Sequence, residues 1–301
     1  MGYKRGMSVL TVGDGDLTFS LAVARLLFAD SQHRQHHDSS GRMVATSYES
    51  KETLLHVYPN IGETIQELES LGATVCYQVD ATNIVGTLPK DVLIVDNNKF
   101  NRITWNFPCS AIGSGQDGQN DAMDFNKQLI RDFVRNTITS ELLDEDDGEI
   151  HMLHKTKPPF NQWQIESVAL EGLGTKDNGN ESQRRLEYKG RLVFDRCLMP
   201  PYVPRKALDK KSFTCHDACT YVFGWSVTRA ADGGRKERKY QCTIPFGNEK
   251  DDACTGGEPL LDVTEDMIVE IRHIHLAAQA VKMTAAIAGS KKKKKKVWRR
   301  M

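Results

Sequence analysis

The sequence predicts a Rossmann-like α/β fold: a mainly parallel, seven-stranded sheet with helices on both faces. Two observations carry this. The β-prone run Ser8-Val9-Leu10-Thr11-Val12 ends in Gly13-Asp14-Gly15-Asp16, and apolar residues at helical spacing follow at once. Beyond that opening, β-prone runs and helical patterns keep alternating, as chains that bury a parallel sheet under helices do.

The elements read in order as follows. Leu17 to Ala29 is a helix with Phe19, Leu21, Val23, Leu26 and Leu27 on its apolar side, and residues 30–42 are a polar loop with three histidines. Met43 to Tyr48 is the second strand, ending at Glu49. Residues 61–71 form a helix closed by Gly72, and Thr74 to Val79 is the third strand, ending at Asp80. Two runs compete for the fourth strand, Val92 to Val95 and Ile103 to Phe107. The second is chosen because Pro108 stops it where a site loop should begin, which leaves the first as an insertion or an edge. A Gly-rich loop at 109–120 leads to a long helix from Asp121 to Leu143, stopped by the acidic patch Asp144 to Asp147 and Gly148. Glu149 to Lys155 is the fifth strand. Residues 160–171 are a helix ended by Gly172, and 174–190 read as loop. Leu192 to Phe194 and Thr220 to Phe223 are the late strands. Past Trp225 the pattern weakens: Tyr240 to Ile244 suggests a strand, and Asp262 with Glu265 caps a helix reaching about Ala288. The expected organisation is a domain at 6–225, an extension at 226–288 and a basic tail at 289–301.

Composition narrows the class. The chain has 301 residues, 39% hydrophobic and 27% charged, which is globular composition and rules out a collagen, a coiled-coil rod or a mostly disordered chain. No run of 18 apolar residues occurs, so no membrane helix is expected. The first residues hold no long apolar run and Gly6 breaks the myristoylation pattern, so neither a signal peptide nor a myristoyl group is expected. Charge is balanced at 40 basic and 40 acidic side chains, yet residues 291–301, KKKKKKVWRRM, hold six Lys and two Arg. Without those eight, 32 basic face 40 acidic side chains, so an acidic body carries a tail suited to a polyanion or a nuclear import receptor. Seven cysteines without framework spacing read as reduced thiols. Cys215-His216-x-x-Cys219, with Cys242 and Cys254, matches no strong zinc spacing, and no metal is expected.

The glycine-rich turn points to a cofactor. A dinucleotide fingerprint needs Gly at 18, where Thr18 stands, and no Walker lysine is present. Asp14 and Asp16 would repel a diphosphate but suit an ammonium or sulfonium centre, both of which S-adenosyl-L-methionine carries. Glu49 and Asp80, at the ends of the second and third strands, fall where ribose and adenine contacts belong. Asn106-Phe107-Pro108 ends the fourth strand with an amide, a ring and a constrained turn able to hold a planar base. On the fifth strand, His151 and Leu153 share one face and Met152 and His154 the other, while Lys155 reaches the cleft rim.

Taken together, ordered blocks resemble one family, the eukaryotic 25S rRNA (uridine-N3)-methyltransferases. The blocks are Val12 to Ser20, Ala45 to Ser50, Tyr58-Pro59 with Gly72, Val79 to Thr82, Asn106-Phe107-Pro108 and Gly148 to His151. Asn126 with Leu129 and Phe133, Pro159 with Trp163, Gly172-Leu173, Tyr202, Arg205 and Thr220 to Phe223 extend the match over about residues 6–225. The resemblance implies a class I S-adenosylmethionine-dependent methyltransferase domain acting on N3 of a uridine in large-subunit rRNA. Gly13, Asp14, Gly15, Asp16 and Ser20 would hold the methionine end and the turn. Glu49 would bind ribose, Asp80 with Ala81 the adenine side, and Asn106, Phe107 and Pro108 would face the target base. The chain departs from the family pattern at Cys109, where a His is usual, at Phe100-Asn101, and near 90–98.

A uridine must lose its N3 proton, and His151, His154, Lys155 and Cys109 are the candidates to assist. His154 and Lys155 join Asn106, Phe107 and Pro108 as the expected catalytic set. The basic tail and the pairs Arg184-Arg185, Arg205-Lys206 and Lys210-Lys211 are candidates for gripping rRNA backbone. A monomer in the nucleolus, or secondarily the cytoplasm, working on rRNA or a pre-ribosomal particle away from membranes, is the expected setting. The competing readings are a methyltransferase of another substrate and a non-catalytic RNA-binding relative. Cys109 favours the relative, and the intact Gly-Asp-Gly-Asp turn argues against it.

Overall fold

A computed structural model describes residues 2–28, 41–93, 99–110, 120–173 and 185–226. The histidines of the 30–42 segment, Cys242, Cys254, the expected strand at 240–244, the 262–288 helix and the basic tail lie outside the described residues.

Seven strands form one sheet: β1 (Val9–Val12), β2 (Met43–Thr46), β3 (Thr74–Cys76), β4 (Arg102–Asn106), β5 (Glu149–Lys155), β6 (Leu186–Val193) and β7 (Ala218–Trp225). Their spatial order is β3-β2-β1-β4-β5-β7-β6. Strands β1 to β5 run parallel, with Val9 beside Met43 and Arg102, and Arg102 beside Glu149. Strand β7 enters antiparallel between β5 and β6, so the sheet is mixed where a mainly parallel one was expected. Strand β7 returns beside β6 in the opposite direction after the irregular segment 194–217, which holds only a 3-10 turn at Arg196–Leu198 and no crossover helix.

Helices cover both faces. Helices α1 (Thr18–Phe28), α2 (Lys51–Val57) and α3 (Ile61–Ser70) are followed by the short α4 (Ile84–Thr87) and α5 (Lys90–Leu93), then α6 (Asn120–Thr139) and α7 (Ile165–Val168). The period of two in β1 splits its side chains between the faces: Val9 packs with Leu21, Val23, Leu54 and Leu68, while Leu10 and Val12 pack with Ile130, Phe133 and Val134 of α6. In α3, Ile61, Ile65 and Leu68 turn inward at helical spacing. Gly72, at φ 86°, ends that helix, and the Ala73 amide donates back to the Leu68 carbonyl.

Four expectations change. The run at 92–95 begins as the helical turn α5 rather than a strand, with Val92 buried, and residues 94–98 lie outside the description. The long α6 stops at Thr139, because Glu141 takes φ 54° and the Leu142 amide turns back to Thr137. The 160–171 helix is two pieces, a 3-10 turn at Phe160–Trp163 and α7, broken by Gln164 at φ 51°. The expected loop at 174–190 ends early, since β6 starts at Leu186. The alternation Leu186, Tyr188 against Glu187, Lys189 is that of a half-exposed edge strand, and a bulge lies between Tyr188 and Gly190.

Candidate active site

Parallel strands bring the ends of β1 to β5 to one edge of the sheet, and the expected site residues all follow or close those ends. Gly13 opens the first turn at φ 62°, and a Cβ there would meet Trp105 Nε1 at 2.7 Å, so only glycine fits. The Asp14 amide donates to the Thr46 carbonyl at 3.0 Å, which ties the turn to β2. Asp14 Oδ2 accepts from both the amide and the hydroxyl of Ser20, at 2.7 and 2.6 Å. Ser20 is fully buried, and its hydroxyl also meets Thr11 Oγ1 at 2.7 Å. Ser20 therefore holds the turn and presents nothing to the surface. Burial, with the Asp16 charge beside it, pushes the Asp14 carboxyl up to about 7.

Asp16 starts α1: its Oδ1 accepts from the Thr18 amide and hydroxyl at 3.2 and 2.6 Å. Its Oδ2 receives Arg205 Nε at 2.7 Å. The segment carrying Arg205 is a strap from Met199 to Phe213. The Val203 amide donates to Thr18 Oγ1 at 3.1 Å, and the Tyr58 hydroxyl reaches the Lys206 carbonyl at 3.5 Å. Arg205 also donates to the Lys210 carbonyl, and a bridge joins Arg205 to Ser212. Expected as a phosphate grip, Arg205 is instead turned inward to the glycine-rich turn, while Lys206, Lys210 and Lys211 are exposed.

Glu49 is half-buried just past β2, and its carbonyl accepts from the Gln78 amide at 3.2 Å. Asp80 Oδ1 accepts from the Thr82 amide and hydroxyl at 2.8 and 2.7 Å, which fixes the turn through Ala81. Both acids stand on the loops that follow neighbouring strands, as the sequence implies.

At the end of β4, Asn106 Oδ1 is buried with no hydrogen-bond partner, and its amide lies beside the buried Tyr202 hydroxyl. Phe107 takes φ 49°, and its amide donates to the Leu153 carbonyl at 2.7 Å. Past the buried Pro108, Asn126 of α6 accepts from the Ser110 amide at 2.8 Å and so holds this loop. Cys109 is exposed, with Sγ 3.3 Å from the Ser110 carbonyl.

The two candidates on β5 part ways. His154 is buried, its ring 4.5 Å from Trp163 and 5.7 Å from Phe160, and Nδ1 lies 3.1 Å from the Lys155 carbonyl. Burial lowers it to about 4, so it is neutral and packed in the core. His151 is also buried, between Tyr3 and Glu149, with Nε2 3.0 Å from Glu149 Oε2, and burial lowers its pKa. Lys155 does reach the edge. Its ammonium lies 5.3 Å from the Phe160 ring centre and 5.1 Å from that of Phe213. Phe213 in turn meets Phe107 edge-on at 4.9 Å. Phe213 and Phe160 are site residues that the sequence did not single out, since a lone aromatic in a polar loop carries no pattern.

The residues present fit S-adenosylmethionine: Glu49 and Asp80 stand on the loops that follow β2 and β3, beside the glycine-rich turn, and Asn106 Oδ1 at the end of β4 is an acceptor without a donor. Among the described residues, no group of three His, Cys, Asp or Glu could hold a metal, and Cys215 and Cys219 are buried. No helix among them is long and apolar enough to cross a membrane.

Comparison with known proteins follows the same line. Residues 10–206 match the family described as rRNA (uridine-N3-)-methyltransferase BTM5-like. Over 175 residues the chain is 32% identical to Uncharacterized protein At4g26485 of Arabidopsis thaliana, covering 57% of this chain and 74% of that protein. It is 28% identical over 167 residues to Heavy metal-associated isoprenylated plant protein 41 of Arabidopsis thaliana, covering 56% of this chain but 29% of that one. Among solved structures, a TehB-like SAM-dependent methyltransferase from Corynebacterium glutamicum aligns with a TM-score of 0.36 at 12% identity, over 74% of this chain and 82% of that one. With most of the methyltransferase-like region inside the family match, the chain belongs to the BTM5-like family of S-adenosylmethionine-dependent rRNA (uridine-N3-)-methyltransferases.

Proposed function

We propose that this chain methylates N3 of a uridine in large-subunit rRNA, with the cofactor over the β1 to β3 ends and the base against the β4 and β5 ends. The observation that supports this most is the placement of Asn106-Phe107-Pro108 and Lys155 beside the glycine-rich turn on one sheet edge. When bound, S-adenosylmethionine would supply an electrophilic sulfonium methyl group for uridine N3, its sulfur keeping the bonding electrons as S-adenosylhomocysteine and the N3 proton going to water.

The chain's own residues then align and stabilise. Gly13 lets the turn close against Trp105, Gly15 keeps the methionine end of the turn free of a side chain, and Asp14 with Ser20 keeps the turn in shape. Glu49 takes the ribose hydroxyls. Asp80, with Oδ1 engaged by Thr82, offers Oδ2 on the adenine side next to Ala81. Asn106 ends β4 on the base side with its Oδ1 unpartnered, Phe107 and Pro108 wall the ring, and Lys155 faces the anion that forms. His154, neutral in the core, supports Trp163 rather than the reaction.

Incubating the full chain with rRNA and radiolabelled S-adenosylmethionine, then identifying the nucleoside by mass spectrometry, tests this. The expected product is 3-methyluridine; no label in RNA, or label on another atom, would overturn the reading. Within the same proposal the protein acts as a monomer in the nucleolus, brought there by its basic tail. Sedimentation of the pure chain and imaging of a tagged form lacking 291–301 check both, and an unchanged distribution would remove the tail from targeting.

A further inference from the structure

The Lys155 ammonium does not stand alone at the sheet edge. It ends β5 and lies over two rings, 5.3 Å from the centre of Phe160 and 5.1 Å from that of Phe213. No carboxylate pairs with it among the described residues. An aromatic face attracts a cation through its quadrupole, and two faces restrict where a flexible four-carbon side chain can put its charge.

Of the two rings, Phe213 is the one that touches the target-base turn. It meets Phe107 edge-on at 4.9 Å and 84°. Phe107, in turn, follows Asn106 directly and is held at φ 49° with its amide on Leu153. Phe213 is itself fixed from behind: its amide donates to the Pro204 carbonyl at 3.0 Å, and the adjacent Ser212 bridges to Arg205, which is paired with Asp16. A single half-buried ring thus joins the cation to the Asn-Phe-Pro turn, and it sits on a strap anchored to the glycine-rich turn.

We propose that Phe213 is a positioning residue for the methyl transfer, holding the Lys155 ammonium where the uridine anion forms. This rests on the function proposed above. Once the N3 proton has passed to water, the negative charge spreads over N3 and the two flanking carbonyl oxygens. A cation held within reach of a carbonyl oxygen lowers the energy of that anion, and of the transition state that consumes it. A mobile lysine would first have to be ordered, which costs side-chain entropy. Phe213 removes that cost before the base arrives.

The test is a double-mutant cycle read by single-turnover methylation at saturating rRNA and S-adenosylmethionine, using the full chain. Lys155→Met should lower the rate about 100-fold, the size typical of removing one preorganised charge. Phe213→Leu, which keeps apolar bulk but no ring, should lower it about 10-fold, and Phe213→Tyr should restore it to within about twofold. In the Lys155→Met background, Phe213→Leu should add nothing, because its effect passes through the lysine. S-adenosylhomocysteine affinity, measured by calorimetry, should be the same in all forms and so reports an intact fold. Additive losses, or a Phe213→Leu effect confined to RNA affinity, would overturn the positioning role while leaving the proposed function in place. Absence of 3-methyluridine with the unaltered chain would instead overturn both.

Discussion

Asp16 and Arg205 are 189 positions apart in the sequence and 2.7 Å apart in the fold. Asp16 is nearly buried, and its other oxygen starts α1 through Thr18, so one carboxylate joins the glycine-rich turn, the first helix and the strap. The strap goes on to Phe213 and the Asn-Phe-Pro turn, so the glycine-rich turn and the Asn-Phe-Pro turn share one wall.

Arg205→Ala should therefore cost about 1.5 kcal/mol, the size of a charged hydrogen bond, or a fall of roughly 4 °C in Tm for a domain of this size. It should also weaken S-adenosylhomocysteine binding, because Asp16 is left without its cation. Thermal scans and calorimetry check both. An unchanged Tm and affinity would show the pair to be ornamental.

Asp14 gives a pH signature. Its carboxyl sits at about 7 in the fold against 3.8 ordinarily, so the native state keeps a proton that the unfolded chain releases. The stability from that proton is complete below about pH 3.8 and lost as pH rises through 7. Wild type should lose Tm from pH 5 to 8 relative to Asp14→Asn, which holds no such proton. A cationic ligand beside Asp14 expels the proton, so affinity for S-adenosylmethionine should rise across the same window. Parallel Tm curves for the two proteins would remove Asp14 from this role.

His154 carries the opposite sign. Burial lowers it from 6.5 to about 4, so its contribution is complete above pH 6.5 and lost as pH falls toward 4. Replacing it with Phe, which keeps a ring against Trp163, should flatten the acid limb of the stability curve. Methylation by His154→Phe at pH 7.5 should stay within about threefold of wild type, because the ring lies in the core and touches no reacting atom. A loss of 100-fold or more in correctly folded protein would return His154 to the catalytic set.

Gly13→Ala tests the turn itself. A Cβ at φ 62° is strained, and it would strike Trp105 Nε1, so a loss of about 2 kcal/mol is expected. Denaturant midpoints measure it. A neutral substitution would mean that Trp105 swings clear and the cradle is wider than it stands.

Much of this was readable from the sequence because local chemistry and tertiary position agree. Glycines and acids directly after an apolar strand can only lie at the strand's end, and Pro108 stops β4 where the Asn-Phe-Pro turn begins. What escaped notice depends on distance along the chain. Phe213 acquires its meaning from Phe107 and Lys155, which no periodicity links to it. His154 looked catalytic because polarity in a strand attracts attention, yet Trp163, packed over it, makes it a core residue. Arg205 looked like a phosphate contact because its neighbours are basic, and only the fold reveals Asp16 behind it. Strand β6 was half missed since an edge strand carries charge on alternate positions by design against self-association.

The insertion of β7 between β5 and β6 has a consequence for synthesis of the chain. As residues emerge in order, β1 to β5 can assemble first, and β5 then shows an open row of amides and carbonyls from Glu149 to Lys155. That row waits for a strand made more than 60 positions later, at Ala218 to Trp225. Until it arrives, the nascent sheet can recruit a strand from another molecule instead. The β6–β7 hairpin is thus the stopper of the fold, and a chain cut short before residue 218 should form aggregates rather than a smaller enzyme.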